Sequence, residues 1–384
     1  MSGAPRRILV TGGTGLVGQA IIEALDHGAE AISLTRHGSD GWSAGRSGGG
    51  SAAGLVPSLH GHVVARVPAA ERARHVRGDV TQPRLGLGDG EYERLAQEVD
   101  VVVHSAGVSD FTTPRRTTYA LNLDGARNVA AFAEDADAPL YHVSSGYVNA
   151  NGTSLGGRWG AEVYIGSKRA AEEAVRDCRM LAAVVRPSIV WSHSRTGWTP
   201  SFQGLHRLVG MMFENKLPLL PFGPQTRVDF LPHDTIGATI AELVRTEFDG
   251  EHWLTAGERA MPFGRCVDLV LELGERLGLE LDCPRFIDPE MIDRLIRPAG
   301  GETVSRRVDL MLALTTHFSS QDVLPSSLSG DEVPDLELAF VRGAEHWAER
   351  NGYVTATVVA SDGIEIENGG AARAAATPTE GAPR

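Results

Sequence analysis

The sequence predicts an α/β protein with a doubly wound parallel sheet and a smaller, mostly helical C-terminal lobe. In the N-terminal half, short apolar runs alternate with amphipathic stretches, which is the pattern of parallel strands covered by helices. A glycine-rich run from Thr11 to Gly18 lies between the first predicted strand and the first predicted helix. Beyond Val190 this regular alternation ends, so we expect a different architecture there.

Six strand-helix units follow one another in the first half. The fourth strand, Asp100 to His104, is almost continuously apolar, as expected for a strand buried on both faces. Helices are predicted at 16–27, 91–99 and 117–133 and around Tyr164. The strands are predicted at 7–11, 31–35, 75–80, 100–104, 140–144 and 182–186, the last ended by Pro187.

The domain boundaries follow from these patterns. Residues 1–190 are predicted to form the sheet domain, completed by 228–257, where 228–232 and 252–255 resemble returning strands and 236–246 a helix. Residues 191–227 and 258–360 are predicted to form a substrate-binding lobe with helices at 205–215, 265–277, 289–296 and 336–350. Composition predicts a flexible Gly- and Ser-rich insertion at 38–54 and a disordered tail at 361–384.

Composition excludes several classes of function. The formal net charge of −13 disfavours nucleic acid as the main partner. No apolar run reaches the roughly 18 residues of a membrane span, and three cysteines without a CxxC pair suit a reducing compartment. Thirteen histidines include no HExxH motif, so no metal site is predicted. We therefore expect a cytoplasmic protein without a membrane span.

The glycine run has the position and spacing of a dinucleotide-binding loop. Its glycines fall where a tight turn, close approach to a pyrophosphate and helix-sheet packing are needed. The following helix offers free amides and a positive dipole end to phosphates. We expect a Rossmann-type cofactor site formed by Thr11, Gly12, Gly13, Thr14, Gly15, Leu16, Val17 and Gly18.

Arg36 indicates which dinucleotide is bound. An acidic residue about 20 positions beyond the glycines commonly holds the ribose hydroxyls of NAD. This chain has Arg36 at the end of the second predicted strand instead, and a guanidinium suits the 2′-phosphate of NADP. The sequence predicts NADP(H) as cofactor. His37 or Arg46 is able to share this role, and a solvated arginine is the alternative interpretation.

Lysine is rare in this chain. Of 36 basic residues only Lys168 and Lys216 are lysines, and Lys168 follows Tyr164 by four positions. Residues four apart share one face of a helix, so a phenol and an ammonium group would face one cleft. A surface Tyr-Lys pair is the alternative. Lys216 has no such neighbours and is predicted to be an ordinary surface residue.

With the glycine loop, Tyr164 and Lys168, the chain resembles the extended short-chain dehydrogenase/reductase superfamily over most of residues 7–257. The resemblance implies a catalytic set of Asn122, Ser145, Tyr164 and Lys168, with Ser144 as the neighbouring alternative to Ser145. It also implies further cofactor contacts at Asp79, Val80, Ser105, Ala106, Gly107, Pro187, Ser188 and Ile189.

The chemistry explains these residue types. A phenol with an ordinary pKa near 10 is a poor acid-base group at neutral pH unless a cation stabilises its anion. Lys168 would supply that cation and, by resemblance, bind the nicotinamide ribose. Ser145 would bind the substrate carbonyl oxygen while Tyr164 donates a proton.

Four segments, 78–87, 101–106, 186–198 and 228–234, are similar to the thioester reductase and fatty acyl-CoA reductase branch. The resemblance implies NADPH-dependent reduction of an acyl thioester, through a hemithioacetal, either to an aldehyde or onward to an alcohol. Within the last segment, His233 stands where the branch usually has a valine. Three features depart from this branch: Ser145 replaces a common threonine, the interval from Ser145 to Tyr164 is short, and no adenylation or carrier domain is recognised. We therefore expect the thioester on coenzyme A or on a separate carrier protein.

Other functions stay open at this point. The same scaffold serves reductases of ketones or aldehydes, and epimerases or dehydratases of nucleotide sugars. An NADP-sensing regulator is the non-enzymatic alternative, against which the Ser145, Tyr164 and Lys168 set argues. The apolar stretch 208–213 would line an acyl tunnel or belong to the core. The sequence leaves the acyl group, the extent of reduction and the oligomeric state open.

Overall fold

A computed structural model describes residues 5–26, 28–36, 72–111, 113–148, 161–287 and 323–354. The insertion predicted at 38–54, the helix predicted at 289–296 and the tail predicted at 361–384 lie outside these residues. His37 and Arg46, the alternatives to Arg36, also lie outside them.

Seven parallel strands form the central sheet, which confirms the predicted fold class. Their spatial order is β7-β6-β5-β4-β1-β2-β3. Strands β2 and β3 lie on one side of β1, and β4 and the later strands lie on the other side. The point between β1 and β4 where the strand order reverses is where doubly wound sheets bind ligands. The strands are β1 (Arg6–Thr11), β2 (Ala29–Thr35), β3 (Ala73–Arg77), β4 (Val101–His104), β5 (Leu140–Val143), β6 (Leu181–Pro187) and β7 (Gly250–Leu254).

Helices cover both faces of this sheet. Side chains alternate along β1, so Ile8 and Val10 enter one apolar core and Leu9 enters the other. The described helices are α1 (Leu16–Ala24), α2 (Asp89–Glu98), α3 (Arg115–Tyr119), α4 (Gly125–Asp135), α5 (Ala161–Arg176), α6 (Leu205–Phe213), α7 (His233–Arg245), α8 (Phe263–Arg276) and α9 (Leu336–Arg350).

Helix α1 ends earlier than the predicted residue 27. Leu25 takes an extended conformation, and its side chain is buried in the core. The carboxylate of Asp26 then accepts a hydrogen bond of 2.8 Å from the amide of Gly28. This turn directs the chain into β2.

The prediction that residues 228–232 return to the central sheet is wrong. The edge beside β6 is occupied by β7, which pairs with residues 183–187. Phe230–Pro232 pairs instead with Ile189–Trp191, the segment that follows β6. Two more short ladders join Arg227–Val228 to Met261–Pro262 and Leu219–Leu220 to Arg285–Phe286.

In the region predicted as the smaller lobe, helices α6, α8 and α9 contact one another. Trp191, which follows β6, packs among these helices, because its ring stacks on His206 at 4.0 Å and on Phe340 at 5.1 Å between centroids. The α6 side chains of Leu208, Val209, Met212 and Phe213 are buried in the main apolar core. This part of the 208–213 stretch is core.

Candidate active site

The glycine loop is shaped by contacts that exclude side chains. Gly12 has a φ of +71°, and a Cβ there would lie 2.7 Å from Cα of Ala106. A Cβ on Gly13 would lie 2.1 Å from Oγ of Ser33, and one on Gly18 would lie 2.3 Å from the carbonyl oxygen of Gly12. Each glycine therefore lies where the chain approaches itself too closely for another residue. The loop leads directly into the N-terminus of α1, whose first amides are free for a phosphate.

Hydrogen bonds tie the ends of β1 and β4 together beneath this loop. Oγ1 of Thr11 lies 2.7 Å from Nδ1 of His104 and accepts a bond of 3.2 Å from the amide of Ala106. The hydroxyl of Ser105 donates to the carbonyl of Thr11 at 2.8 Å. Burial lowers the pKa of His104 to about 3, so its imidazole is neutral. These bonds hold the 105–107 segment against the glycine loop.

The other predicted nucleotide contacts lie at the ends of neighbouring strands. Arg36 directly follows β2 and is exposed. Oδ1 of Asp79, after β3, accepts bonds of 2.9 Å and 2.8 Å from the amide and hydroxyl of Thr81. The carbonyl of the buried Val80 accepts a bond of 2.8 Å from Asn128. At the end of β6 are Pro187, Ser188 and Ile189, where the amide of Ser188 donates to Leu254 at 2.8 Å.

Tyr164 and Lys168 lie one turn apart on α5, and both are buried. Ser145, which follows β5, forms a side-chain hydrogen bond with Tyr164. Burial raises the pKa of Tyr164, and the hydrogen bond from Ser145 opposes this change. Oγ of Ser144 is buried without a hydrogen-bond partner among the described residues. The structure thus places Ser145 beside the phenol.

The ammonium group of Lys168 lies beside the loop after β4 and near Asn122. Its Nζ donates a hydrogen bond of 3.0 Å to the carbonyl of Val143. A Cβ on Gly107 would lie 3.4 Å from this Nζ and 2.9 Å from Oδ1 of Asn122. Burial lowers the pKa of Lys168 to about 8, and the carboxylate of Glu172 opposes this change. The loop after β4, the asparagine and the ammonium group therefore meet at one point.

Asn122 lies in a π-helical turn, Ala120–Asp124, between α3 and α4. The sequence predicts an uninterrupted helix at 117–133, and helical periodicity gives no sign of such a turn. Oδ1 of Asn122 accepts a bond of 2.9 Å from the amide of Val108. Its Nδ2 donates to Oγ of Ser167 at 2.8 Å, and that hydroxyl donates to the carbonyl of Tyr164 at 2.7 Å. The widened turn, often found at functional sites, fixes α5 against the loop after β4.

Sequence reasoning missed two residues at this site. Ser167 links Asn122 to α5. Its position directly before Lys168 could have indicated that it belongs to the site. Tyr147 is buried near Tyr164, and its hydroxyl donates to the carbonyl of Asp229 at 3.0 Å. Burial raises the pKa of Tyr147 well above its ordinary value, so it is a neutral phenol. Its position two residues after Ser145 was the signal.

Within the described ranges, no group of three or more His, Cys, Asp or Glu side chains is arranged to hold a metal ion. In the same ranges, no helix combines the length and apolar character needed to cross a membrane.

Comparison with known proteins identifies the family. The model of the male sterility protein NAD-binding family matches residues 10–240, more than half of the chain. The chain belongs to this family. It is therefore an NAD(P)-dependent oxidoreductase, and the family confirms both the predicted superfamily and the dinucleotide cofactor.

Individual relatives match smaller parts of the sequence. The hybrid PKS-NRPS synthetase phm1 of Pyrenochaetopsis sp is 34% identical over 122 residues, covering 32% of this chain and 3% of that protein. A protein named as a fatty acyl-CoA reductase in Drosophila melanogaster is 27% identical over 201 residues, covering 42% of this chain and 39% of that protein. This chain thus spans well under two thirds of either relative.

Among solved structures, the fold is similar to the terminal R domain from the myxalamid PKS-NRPS biosynthetic pathway. The TM-score is 0.66 at 21% identity, with 93% of each chain covered.

Proposed function

We propose that this chain reduces an acyl thioester with NADPH to an aldehyde, and the aldehyde in a second turnover to an alcohol. The observation that carries the proposal is the buried cluster of Ser145, Tyr164, Lys168 and Asn122 beside the glycine loop. This is the residue set that a carbonyl reduction with proton donation requires.

The described residues fit a dinucleotide. The crowded glycines bring the backbone close to the position of a pyrophosphate, and the N-terminus of α1 supplies amides for it. Arg36, exposed after β2, supplies a cation for a 2′-phosphate, which favours NADPH over NADH. When bound, the nicotinamide supplies the hydride for the substrate carbon.

Side chains of the protein bind the substrate carbonyl oxygen and donate a proton to it. Ser145 donates a hydrogen bond to the substrate oxygen, and Tyr164 gives up its proton to it. Burial keeps the pKa of Tyr164 high, so the phenol is protonated before reaction. Its anion is costly in this buried site unless Lys168 is charged. Asn122 fixes the loop after β4. Through Ser167 it also fixes the turn of α5 that carries Tyr164.

The relatives favour a thioester as substrate. One is named as a fatty acyl-CoA reductase, another is named as a hybrid PKS-NRPS synthetase, and the R domain comes from a PKS-NRPS biosynthetic pathway. Hydride and proton addition to a thioester give a hemithioacetal, which releases the thiol and leaves the aldehyde. We propose coenzyme A or a separate carrier protein as the source of the thiol.

The test is NADPH oxidation by the full chain with acyl-CoAs, carrier-bound acyl thioesters, aldehydes and ketones. We expect turnover of thioesters and aldehydes. Tyr92→Phe is the matched control for Tyr164→Phe, because it removes a phenol hydroxyl that donates a hydrogen bond to Asp135 and belongs to none of the predicted site residues. Turnover of ketones or nucleotide sugars without thioesters would overturn the substrate class, and NADPH binding without turnover of any substrate would favour a regulator.

A further inference from the structure

Charged side chains of alternating sign extend from Lys168 along α5. Lys168, Glu172 and Arg176 follow one another at intervals of four residues, so they lie on one face of the helix. Glu172 is only 5% exposed, and this burial makes its charge costly unless it is matched. The chemistry proposed for Tyr164 does not use Glu172 directly.

Arg186 of β6 holds Glu172 from the sheet side. Its Nε and Nη2 donate to the two carboxylate oxygens of Glu172 at 2.9 Å and 2.7 Å. The same guanidinium donates to both oxygens of Glu251 on β7, at 2.7 Å and 2.9 Å. It also lies 4.6 Å from the ring centroid of Trp253. Because Arg186 is 2% exposed and bound on two sides, Glu172 is fixed in place.

The other groups around Lys168 do not balance its charge. His104 on β4 and His142 on β5 are neutral, because burial lowers the pKa of each. Asn122 from the π-helical turn and Tyr164 from α5 are also uncharged, and Arg186 on β6 is itself a cation. Among the described residues, Glu172 is the carboxylate that acts on Lys168.

Fixing Glu172 also keeps it away from a direct ion pair. Nζ of Lys168 donates to the carbonyl of Val143, while both oxygens of Glu172 are bound by Arg186. A mobile carboxylate would be attracted to the ammonium group of Lys168. It would then occupy the N–H donors that otherwise face the cofactor and substrate. Arg186 thus keeps the negative charge of Glu172 near Lys168 but prevents Glu172 from binding the N–H donors of Lys168.

We propose that Glu172, held by Arg186, is a positioning residue that keeps Lys168 charged and its ammonium group available to the cleft. The proposal rests on the proposed role of Lys168 in the reaction. The charge of Lys168 is nevertheless measurable without substrate, so the two are separable by experiment.

The scarcity of lysine makes this measurement direct. Full-length protein labelled with ε-¹³C lysine gives two side-chain signals, and Lys216→Arg assigns them. We expect Lys168 to titrate near pH 8, and Glu172→Gln to lower its pKa by about one unit or more, the effect of losing a nearby opposite charge. Glu173→Gln removes the neighbouring exposed carboxylate and should leave the titration unchanged.

A second variant guards against misfolding of Glu172→Gln, which leaves Arg186 partly unmatched. Replacing Glu172 and Arg186 together with methionine exchanges the buried pair for apolar side chains, a change that proteins often tolerate. We expect a downward shift in this variant too, but a smaller one, because the Arg186 cation is removed together with the carboxylate. An unchanged titration of Lys168 in either folded variant would overturn the proposal.

The pH profile of NADPH oxidation then separates the two proposals. If the alkaline limb moves to lower pH together with the lysine titration, both are supported. If the titration moves and the limb does not, the effect of Glu172 on charge stands and the role of Lys168 in the reaction is overturned. A uniform loss of rate with an unmoved titration indicates a merely structural Glu172 and overturns this inference.

Discussion

The glycine loop and helix α5 meet at one site but are built in different ways. The loop is defined by backbone that approaches backbone, as where Gly12 faces Ala106 with no space for a Cβ. Helix α5 contributes side chains whose charges and hydroxyls are buried, namely Tyr164, Lys168 and Glu172. In the proposed mechanism, the first region binds the cofactor by its shape, whereas the second controls proton transfer. Substitutions in the two regions should therefore fail in different ways.

The largest expected effect lies in the proton-handling region. Tyr164→Phe removes the proton donor and should lower kcat by about 10²- to 10⁴-fold. The ring stays in place beside Phe111, with 5.8 Å between centroids, so NADPH affinity should change little. Stopped-flow kinetics with fluorescence titration of NADPH measures both quantities. An equal loss of NADPH affinity would show that the two regions are not separable in this way.

The opposite pattern is expected from the glycine loop. Gly12→Ala places a Cβ against Ala106 at a φ of +71°, so the loop must move. We expect NADPH to bind about tenfold more weakly and unfolding to cost about 1–3 kcal/mol less, with kcat at saturation nearly kept. Gly90→Ala in α2 is the matched control, because its Cβ meets nothing within 4 Å. Calorimetric titration and thermal unfolding test this, and a loss confined to kcat would contradict it.

The pH dependence should come from α5 alone. Burial lowers the pKa of Lys168 from its ordinary value of 10.5 to about 8, so its positive charge is lost as pH rises through 8. Above that point, activity should fall about tenfold per pH unit. Between pH 8 and 10.5 the unfolded chain binds more protons at this lysine, so the group makes the folded state relatively more stable with rising pH. A flat rate from pH 7 to 10 in protein that stays folded would contradict this account.

The smallest expected effect is at the edge of the nucleotide site. Arg36→Ala should reduce the preference for NADPH over NADH by about tenfold, because an exposed charge-assisted contact contributes modestly. Arg94→Ala is the control, because Arg94 is also an exposed arginine but lies on α2. The ratio of kcat/KM for the two cofactors gives the result. An unchanged ratio would remove Arg36 from the cofactor site.

These two regions also differ in how far the sequence predicts them. The glycine loop was predictable because its requirements are local: a strand, a tight turn and a helix within eight residues. The Tyr164 and Lys168 pair was predictable from helical spacing. The bidentate grip of Arg186 on Glu172 was not, because it joins α5 to β6 through tertiary packing.

Irregular backbone was the other limit. The π-helical turn that positions Asn122 widens the helix locally and contains residues of the kinds found in regular helices. The apolar periodicity of the sequence therefore does not reveal it. The segment 228–232 has strand-like residues, but its partner is Ile189–Trp191 because β7 occupies the edge of the sheet. Local pattern predicts that a strand forms, and tertiary competition determines where it pairs.

In the proposed reaction, an acyl thioester receives a hydride from NADPH and a proton from Tyr164. The most direct measurement uses NADPH carrying deuterium at the transferred position, an acyl-CoA, and mass spectrometry of the trapped aldehyde. We predict one deuterium per aldehyde with the unmodified chain, and product formation lowered at least about a hundredfold in Tyr164→Phe. Unlabelled aldehyde, or equal product from the variant, would contradict the account.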